Sequence, residues 1–461
     1  MTRAHETSRM DRSVRPSLLR GLAVAALVAH AGAAGAQDTT RVRPPSRTIT
    51  LQQAISIALS ENNTIRFAEN NTALDSLAVR QARNAFLPNL SASSQATQRV
   101  LSGSQGRNSF GASGNLGSSI TLFNGGQNRN TLRQAQQNLQ ASGFDLGRAR
   151  QGIVFKVASD FLNLMTQQEQ LRVQQENLTA QEEELRQLQE FVNRGTRPIG
   201  DLYQQQAAVA STRLALVNAR RASENAKVDL IQDLVLDPRV DWVFETPTTG
   251  GATAPQPFRL DSLVDVALRQ RADIQSQLYR VRAAESEVAL ARGTRLPTVT
   301  GSAGFGGSFA SGSDLGVLQQ LDAGRSGSIG VGVQVPIFDR GASSIARQRA
   351  QVFLENELLT LRDAEQSVAL EVRRAYLDYI AAQEQLAAST AQQEAAALAL
   401  RAAQARYQVG SSTFIEVTLA RAQLIQAQSA EVNARSAVVF QQALMSYYTG
   451  VLDPSTVHLD R

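Results

Sequence analysis

The stretch IGVGVQVPIF, Ile329 to Phe338, places Ile329, Val331, Val333, Val335 and Ile337 on one side of an extended chain. Gly330, Gly332, Gln334, Pro336 and Phe338 fall on the other side, because successive side chains of a strand point to opposite faces. An apolar face backed by small and polar residues over ~10 positions is the pattern of a strand in an outer-membrane β-barrel. An edge strand of a soluble sandwich alternates in the same way. The rest of the chain decides between the two.

The chain has 461 residues, with only 5% aromatics and no Cys, so neither disulfides nor thiolate metal sites are possible. Ala and Gln dominate the long stretches, which suits extended helices better than one thick core. The start reads as a secretory signal over residues 1–36. Arg3, Arg9, Arg12, Arg15 and Arg20 form its basic region, GLAVAALVAHAGAAGA its apolar stretch, and Ala34-Gly35-Ala36 its cleavage site. No Cys follows the cut, so a lipid anchor at that position is excluded. Removing these residues takes away five Arg and two acids, and the net charge falls from +5 to +2. The remaining Arg alternate with Glu and Asp along helical stretches, the pattern of a solvated face, and nucleic acid is not an expected partner. Beyond the signal no apolar run approaches the ~20 residues of a membrane helix. If the exported chain enters a membrane, it does so as β-strands.

The chain is written twice. LQQAISIALS from Leu51 and LDSLVDVALR from Leu260 align at an offset of 209, which holds through Leu87-Pro88 and Leu296-Pro297. After an insertion the offset is 215, pairing LFNGG (Leu122–Gly126) with IFDRG (Ile337–Gly341), Phe161 with Tyr376, and Gly195 with Gly410. No Pro lies between Pro88 and Pro198 or between Pro336 and Pro454, which permits very long uninterrupted elements. Residues 126–193 and 341–408 read as helices of about 100 Å at 1.5 Å per residue. The second has a coiled-coil stripe at Leu354, Leu358, Leu361, Glu365, Val368, Val372, Ala375, Tyr379, Ala382 and Leu386. Each turns at a Gly, Gly195 or Gly410, into a return helix near 199–233 or 413–448.

Before each long helix lies a Gly/Ser-rich pair of candidate strands. Leu90 to Val100 and Phe110 to Leu122 belong to the first half; Val299 to Phe309 precedes the opening stretch in the second. LSGSQGRNS and SGSDLGVLQQLDAGRSGS read as the loops between paired strands. The expected organisation is a first repeat over 37–238, a Pro/Thr/Gly-rich link over 239–259, a second repeat over 260–454 and a tail over 455–461. Four strands cannot close a barrel, since even the smallest needs about eight. Several copies must therefore share one.

At this point the chain resembles the TolC-like outer-membrane efflux proteins over about residues 50–452. The motifs that carry the resemblance are LQQAISIAL with FLPNL, RLPTV, LFNGG, PIFDRG, and the turn segments FVNRGTRPIGDL and RYQVGSSTFIEV. The resemblance implies an α+β membrane protein. Long antiparallel helical hairpins would form a periplasmic tunnel, and four transmembrane β-strands per subunit would contribute to a trimeric 12-stranded barrel in outer-membrane lipid. It also implies a periplasmic adaptor and an inner-membrane transporter as partners, with small molecules or, alternatively, secreted proteins as cargo. The family's gate acids fall on Asp201 and Glu416, its tip Tyr on Tyr407, and the adaptor-docking tips on Gly195, Thr196, Gly410 and Ser411. Two positions depart from one well-known member of the family, which carries Arg where Ser412 stands and Asp where Leu419 stands. Arg197 is the repeat mate of Ser412, so the cation would come from the other hairpin.

A plainer role is open to the same acids. Thr413-Phe414-Ile415-Glu416 fits a capping box, and Asp201 follows Pro198 in a first helical turn, where acids suit the helix dipole. Enzyme chemistry lacks its base, because His5 and His30 leave with the signal and His458 lies in the tail. The glycine cluster GSAGFGGS, Gly301–Ser308, lies in a candidate strand and opens no helix, so it is not a nucleotide loop, and no cofactor is expected. A periplasmic adaptor would carry one long hairpin beside a lipoyl-like domain. A coiled-coil scaffold would leave the four alternating strands unexplained.

Overall fold

The structure is a computed structural model that describes residues 47–99, 109–245, 258–311 and 316–452. The signal segment, the tail and most of the LSGSQGRNS loop lie outside the described residues. β1 (Arg47–Ile49) leads into α1 (Leu51–Glu61) and α2 (Asn63–Asn84). β2 (Asn89–Arg99) and β3 (Ser109–Asn124) precede the long α3 (Gln127–Asn193) and its return helix α4 (Ile199–Asp233). After β4 (Trp242–Phe244) the pattern begins again with α5 (Leu260–Gln270), α6 (Ala272–Gly293), β5 (Thr298–Ala310), α7 (Val317–Ala323) and β6 (Ser326–Gln334). It ends with α8 (Ala342–Gln408) and α9 (Phe414–Tyr448).

The bounds of α5 and α6 repeat those of α1 and α2 at an offset of 209, and α8 and α9 repeat α3 and α4 at 215. Both long helices start after a left-handed glycine, Gly126 (φ 79°) or Gly341 (φ 82°). The repeats differ where the return helices end. Gly450 takes φ 74°, and its repeat mate Val235 takes φ 55°. In both, the N–H groups of this residue and the next close back on the helix, to Gln232 and Ile231 in one repeat and to Tyr447 and Ser446 in the other. A β-branched residue pays ~1–2 kcal/mol for this conformation, while glycine loses ~0.5–1 kcal/mol of chain entropy. Val235 is half exposed and gives up little burial. Val235→Gly should therefore stabilise the protein by about 0.5–1 kcal/mol, read as a higher unfolding midpoint.

β2, β3, β5 and β6 form one antiparallel sheet in that order. Its register sorts the residues by face. Ala92, Leu116 and Phe305 form one row; Val299 sits opposite Val333, and Ala303 opposite Ile329. Ser93, Asn115 and Gly306 form a row on the other face, and Gly304 sits opposite Ser328. The apolar face is exposed across all four strands, with Leu90, Leu116, Phe305, Ile329, Val331 and Val333 open to the surroundings. No helix among the described residues is long and apolar enough to cross a membrane.

Three expectations need correction, at the end of β6, in the loop before it and along the α8 stripe. β6 stops at Gln334, short of Phe338, because Pro336 has no N–H to give the ladder. The repeat-equivalent part of β3 carries a bulge between Thr121 and Phe123. The segment expected as a loop before β6 contains α7, whose Gln320 accepts the Ala310 N–H at 3.0 Å. The link contributes β4, which pairs in parallel with β1. Trp242 and Phe244 are buried there with Ile49, Leu230 and Leu234, and Phe161 meets Phe244 edge-on at 6.1 Å. The stripe on α8 holds from Val368 to Leu386, but nearer the sheet it passes through Glu357 and Ala364 and leaves Leu358 and Glu365 exposed. Glu357 turns inward because Gln277 of α6 donates to its carboxylate at 2.7 Å.

Candidate functional site

Both long helices end about 100 Å from the sheet at their rise of 1.5 Å per residue, and they end alike. At the first tip the Thr196 N–H donates to Phe191 O (3.0 Å) and the Gly195 N–H to Val192 O (2.9 Å). At the second, Ser411 donates to Arg406 O (2.9 Å) and Gly410 to Tyr407 O (3.0 Å). This double closure needs a left-handed residue, and Gly195 and Gly410 supply it at φ 73° and 79°. A Cβ at either glycine would meet nothing within 4 Å, so backbone conformation alone selects glycine there.

Pro198 caps α4 and keeps Arg197 out of the helical region, which sends the Arg197 side chain across to the other hairpin. Its Nη2 donates to Tyr407 O at 2.5 Å and to Gln408 O at 3.5 Å. A cation thus sits on the carbonyls at the negative end of α8. The guanidinium also lies 4.0 Å above the Tyr407 ring, within cation–π range. The Tyr407 hydroxyl donates to Asp201 Oδ2 at 2.8 Å. One hairpin therefore holds the other's tyrosine from two sides, with the Phe414 ring 5.5 Å away. Burial pushes the Tyr407 phenol up to about 12, with the Asp201 carboxylate adding to the rise and Arg197 opposing it. The phenol stays a neutral donor at any physiological pH.

Two turns into α9, Arg421 pairs with Glu184 of α3 at 2.7 Å, both largely buried. A cleft of about 870 Å³ lies between the tips, bounded by Glu184, Leu188, Phe191, Arg197, Tyr407 and Phe414 among others. It offers charges and hydrogen-bond partners. Among the described residues no group of three or more His, Asp or Glu could hold a metal ion.

The structure brings together three of the four expected gate residues, Arg197, Asp201 and Tyr407. Glu416 stays on its own hairpin, accepting from Ser412 Oγ at 2.9 Å and lying 3.4 Å from Arg406 Nη2. The repeat explains the difference. Asp201 bonds Tyr407, but the repeat mate of Tyr407 is Val192, which offers Glu416 no hydroxyl. The capping box expected at Thr413 does not form, since its side chain makes no cap bond and the carboxylate of Glu416 is engaged elsewhere. Thr196 and Ser411 bond back to Phe191 O and Arg406 O and lie exposed with their glycines at the tips. Sequence reasoning missed the Arg421–Glu184 pair. Its signal was an arginine in the stripe Phe414, Val417, Arg421, Leu424, where an apolar residue is the default.

A family model described as Outer membrane efflux protein matches residues 54–234 and 263–450. The outer membrane efflux protein BepC of Brucella suis is 25% identical over 393 residues, which cover 84% of this chain and 80% of that protein. The pyoverdine export outer membrane protein OpmQ of Pseudomonas putida is 25% identical over 344 residues, covering 74% and 70%. Among solved structures, CusC superposes with a TM-score of 0.76 at 18% identity, over 87% of this chain and 92% of that one, which shows a shared fold.

Proposed function

The chain belongs to the outer membrane efflux protein family, and from that premise we propose that three copies form a passive export conduit through the outer membrane. The observation that carries the reading is the four-stranded sheet, apolar on one face and small or polar on the other, with β2 and β6 at its edges and no further partner strand among the described residues. Open edges are not tolerated in hydrocarbon, and four strands are too few to close on themselves. Three copies give a twelve-stranded barrel. The helical hairpins then extend as a tunnel into the periplasm, and their exposed tips meet a periplasmic adaptor. Energy comes from an inner-membrane transporter, and small molecules are the cargo. The family membership and the efflux names of the relatives support that assignment. The Arg197–Tyr407–Asp201 contact holds the tunnel end shut.

The protein should fractionate with the outer membrane, behave as a trimer by light scattering in detergent, and conduct ions in a planar bilayer. A soluble periplasmic monomer would overturn the proposal.

A further inference from the structure

Exposed arginines stand just below the sheet, at the ends of the four helices that join it. Arg80 and Arg83 close α2, Arg129 and Arg133 open α3, Arg292 closes α6 and Arg347 opens α8. Resting on the outer-membrane trimer proposed above, we infer that these arginines form a belt that holds the phosphates of anionic phospholipid in the periplasmic leaflet.

The chemistry changes in order along the molecule. Apart from Arg99 at the far end of β2, the four strands carry no charge. At the joints Phe86, Leu87, Leu122, Leu296, Ile337 and Phe338 are exposed. The arginines follow within ~9 Å of each helix end, at 1.5 Å per residue. The headgroup layer on each side of the hydrocarbon is ~5–8 Å deep, within reach of an arginine side chain from that level. An apolar band, an aromatic and apolar rim and then cations is the order that half a bilayer favours.

In the ring these side chains face away from the tunnel. Val154, Val157 and Phe161 of α3 are buried in one cluster with α1 and the β1–β4 pair. A tunnel between the hairpins stays open only if that layer lies outside it. A long coiled-coil helix returns to the same side every seven residues. Arg133 lies three heptads above Val154 and four above Phe161, and Arg129 lies four above Val157. On α8, Val368 and Ala375 pack against α5 and against Phe258 just before it. Arg347 lies three heptads above Val368 and four above Ala375. Arg133 shares a cleft with Glu285 and Ala289 of α6, and Arg292 follows these by seven and three residues. Arg83 is the repeat mate of Arg292, and Arg80 precedes it by one turn.

The chain supplies this level with cations and few anions. α3 carries no acid before Asp145. Below that point Arg150 pairs with Glu69 at 2.9 Å and Arg172 with Glu176 at 2.7 Å. Arg129 and Arg133 have no ion-pair partner among the described residues, and neither have Arg80, Arg83, Arg292 and Arg347. Glu287 stands at the same level but accepts from Gln134 of α3 at 3.5 Å. α3 and α8 also begin here with no acid in their first turns, so their positive ends meet the arginines. A solvated face would mix the two signs. A phosphate suits both features, since it accepts paired guanidinium N–H groups and favours a helix N-terminus. The helices lie on the periplasmic side, where the leaflet is built of phospholipid.

The test reads lipid preference by electron spin resonance, with the full protein in phosphatidylcholine vesicles holding trace spin-labelled lipid. Labelled phosphatidylglycerol should be held at the protein boundary at least about threefold over labelled phosphatidylcholine. Raising salt to about 0.5 M should flatten the preference. Arg129→Gln, Arg133→Gln and Arg347→Gln together should abolish most of it. Arg172→Gln, Arg186→Gln and Arg213→Gln remove the same charge far from the sheet and should leave it intact. Equal loss from both sets, a preference that salt leaves unchanged, or none in the parent overturns the belt. So does displacement by inorganic phosphate at matched ionic strength, which would mark a site for soluble anions. Light scattering in detergent sizes the assembly independently. A trimer without the preference leaves the trimeric reading standing, whereas a monomer overturns both.

Discussion

Val331→Arg is expected to cost about 2–4 kcal/mol of folding stability in the membrane and to cut sharply the amount of assembled protein recovered from it. Val331 lies near the middle of β6, opposite Gly301 and on the same face as Ile329 and Val333. That face is continuous with Leu116 and Phe305 across the sheet. In the proposed barrel a guanidinium there would stand in hydrocarbon, with only Gly301 opposite it on the neighbouring strand. The penalty depends on depth and falls to ~0–1 kcal/mol near the interface. β6 ends at Gln334, so Val333→Arg, two residues nearer the end, should cost less than Val331→Arg. Gln334→Arg points to the polar face and should be tolerated. The series is read as denaturant midpoints of the protein in detergent or lipid. Equal costs at Val331 and Gln334 would show that the faces are assigned wrongly.

The long-range plan of this fold is legible because its cues are local and doubled. Pro spacing fixed where helices could run, the two tip glycines fixed where they turn, and each half checked the other. The bounds of α3 and α8 came within a residue of expectation for that reason. Cues that depend on a neighbour were not legible. Glu357 is drawn into the α8 stripe by Gln277 of another helix, and nothing in the spacing of α8 announces it. β4 is a strand because Trp242 and Phe244 find β1 and the Phe161 ring, not because the link alternates. The same holds at the tips. The family resemblance points to Tyr407 and to both acids, but which of the two the tyrosine bonds depends on packing between hairpins. Repeat symmetry alone would have treated Asp201 and Glu416 as equals.

If the contact across the tips holds the tunnel shut, weakening it should open the tunnel without unfolding the chain. Tyr407→Phe removes only the hydroxyl bond to Asp201 and keeps the ring between Arg197 and Phe414. A hydrogen bond to a charged group is worth ~1.5–3 kcal/mol. At this half-exposed site the lower end applies, about a tenfold rise in the ratio of open to closed tips per subunit. Arg197→Ala should act more strongly, since it removes two carbonyl bonds and the cation above the ring. Glu416→Gln should change little, because its partners Ser412 and Arg406 lie on its own hairpin. Single-channel recordings in planar bilayers should therefore rank conductance as Arg197→Ala above Tyr407→Phe above Glu416→Gln and the parent. Melting temperatures should stay close, because the largest buried cluster, around Phe161 and Trp242, is untouched. The phenol's folded-state pKa is raised, so its contribution is complete below about 10 and is lost only as pH rises through about 12. Moving the parent from pH 8 to pH 10 should leave its conductance unchanged, although an ordinary tyrosine would be half ionised there. Lowered melting temperatures at unchanged conductance would make the contact a clamp between hairpins rather than a gate.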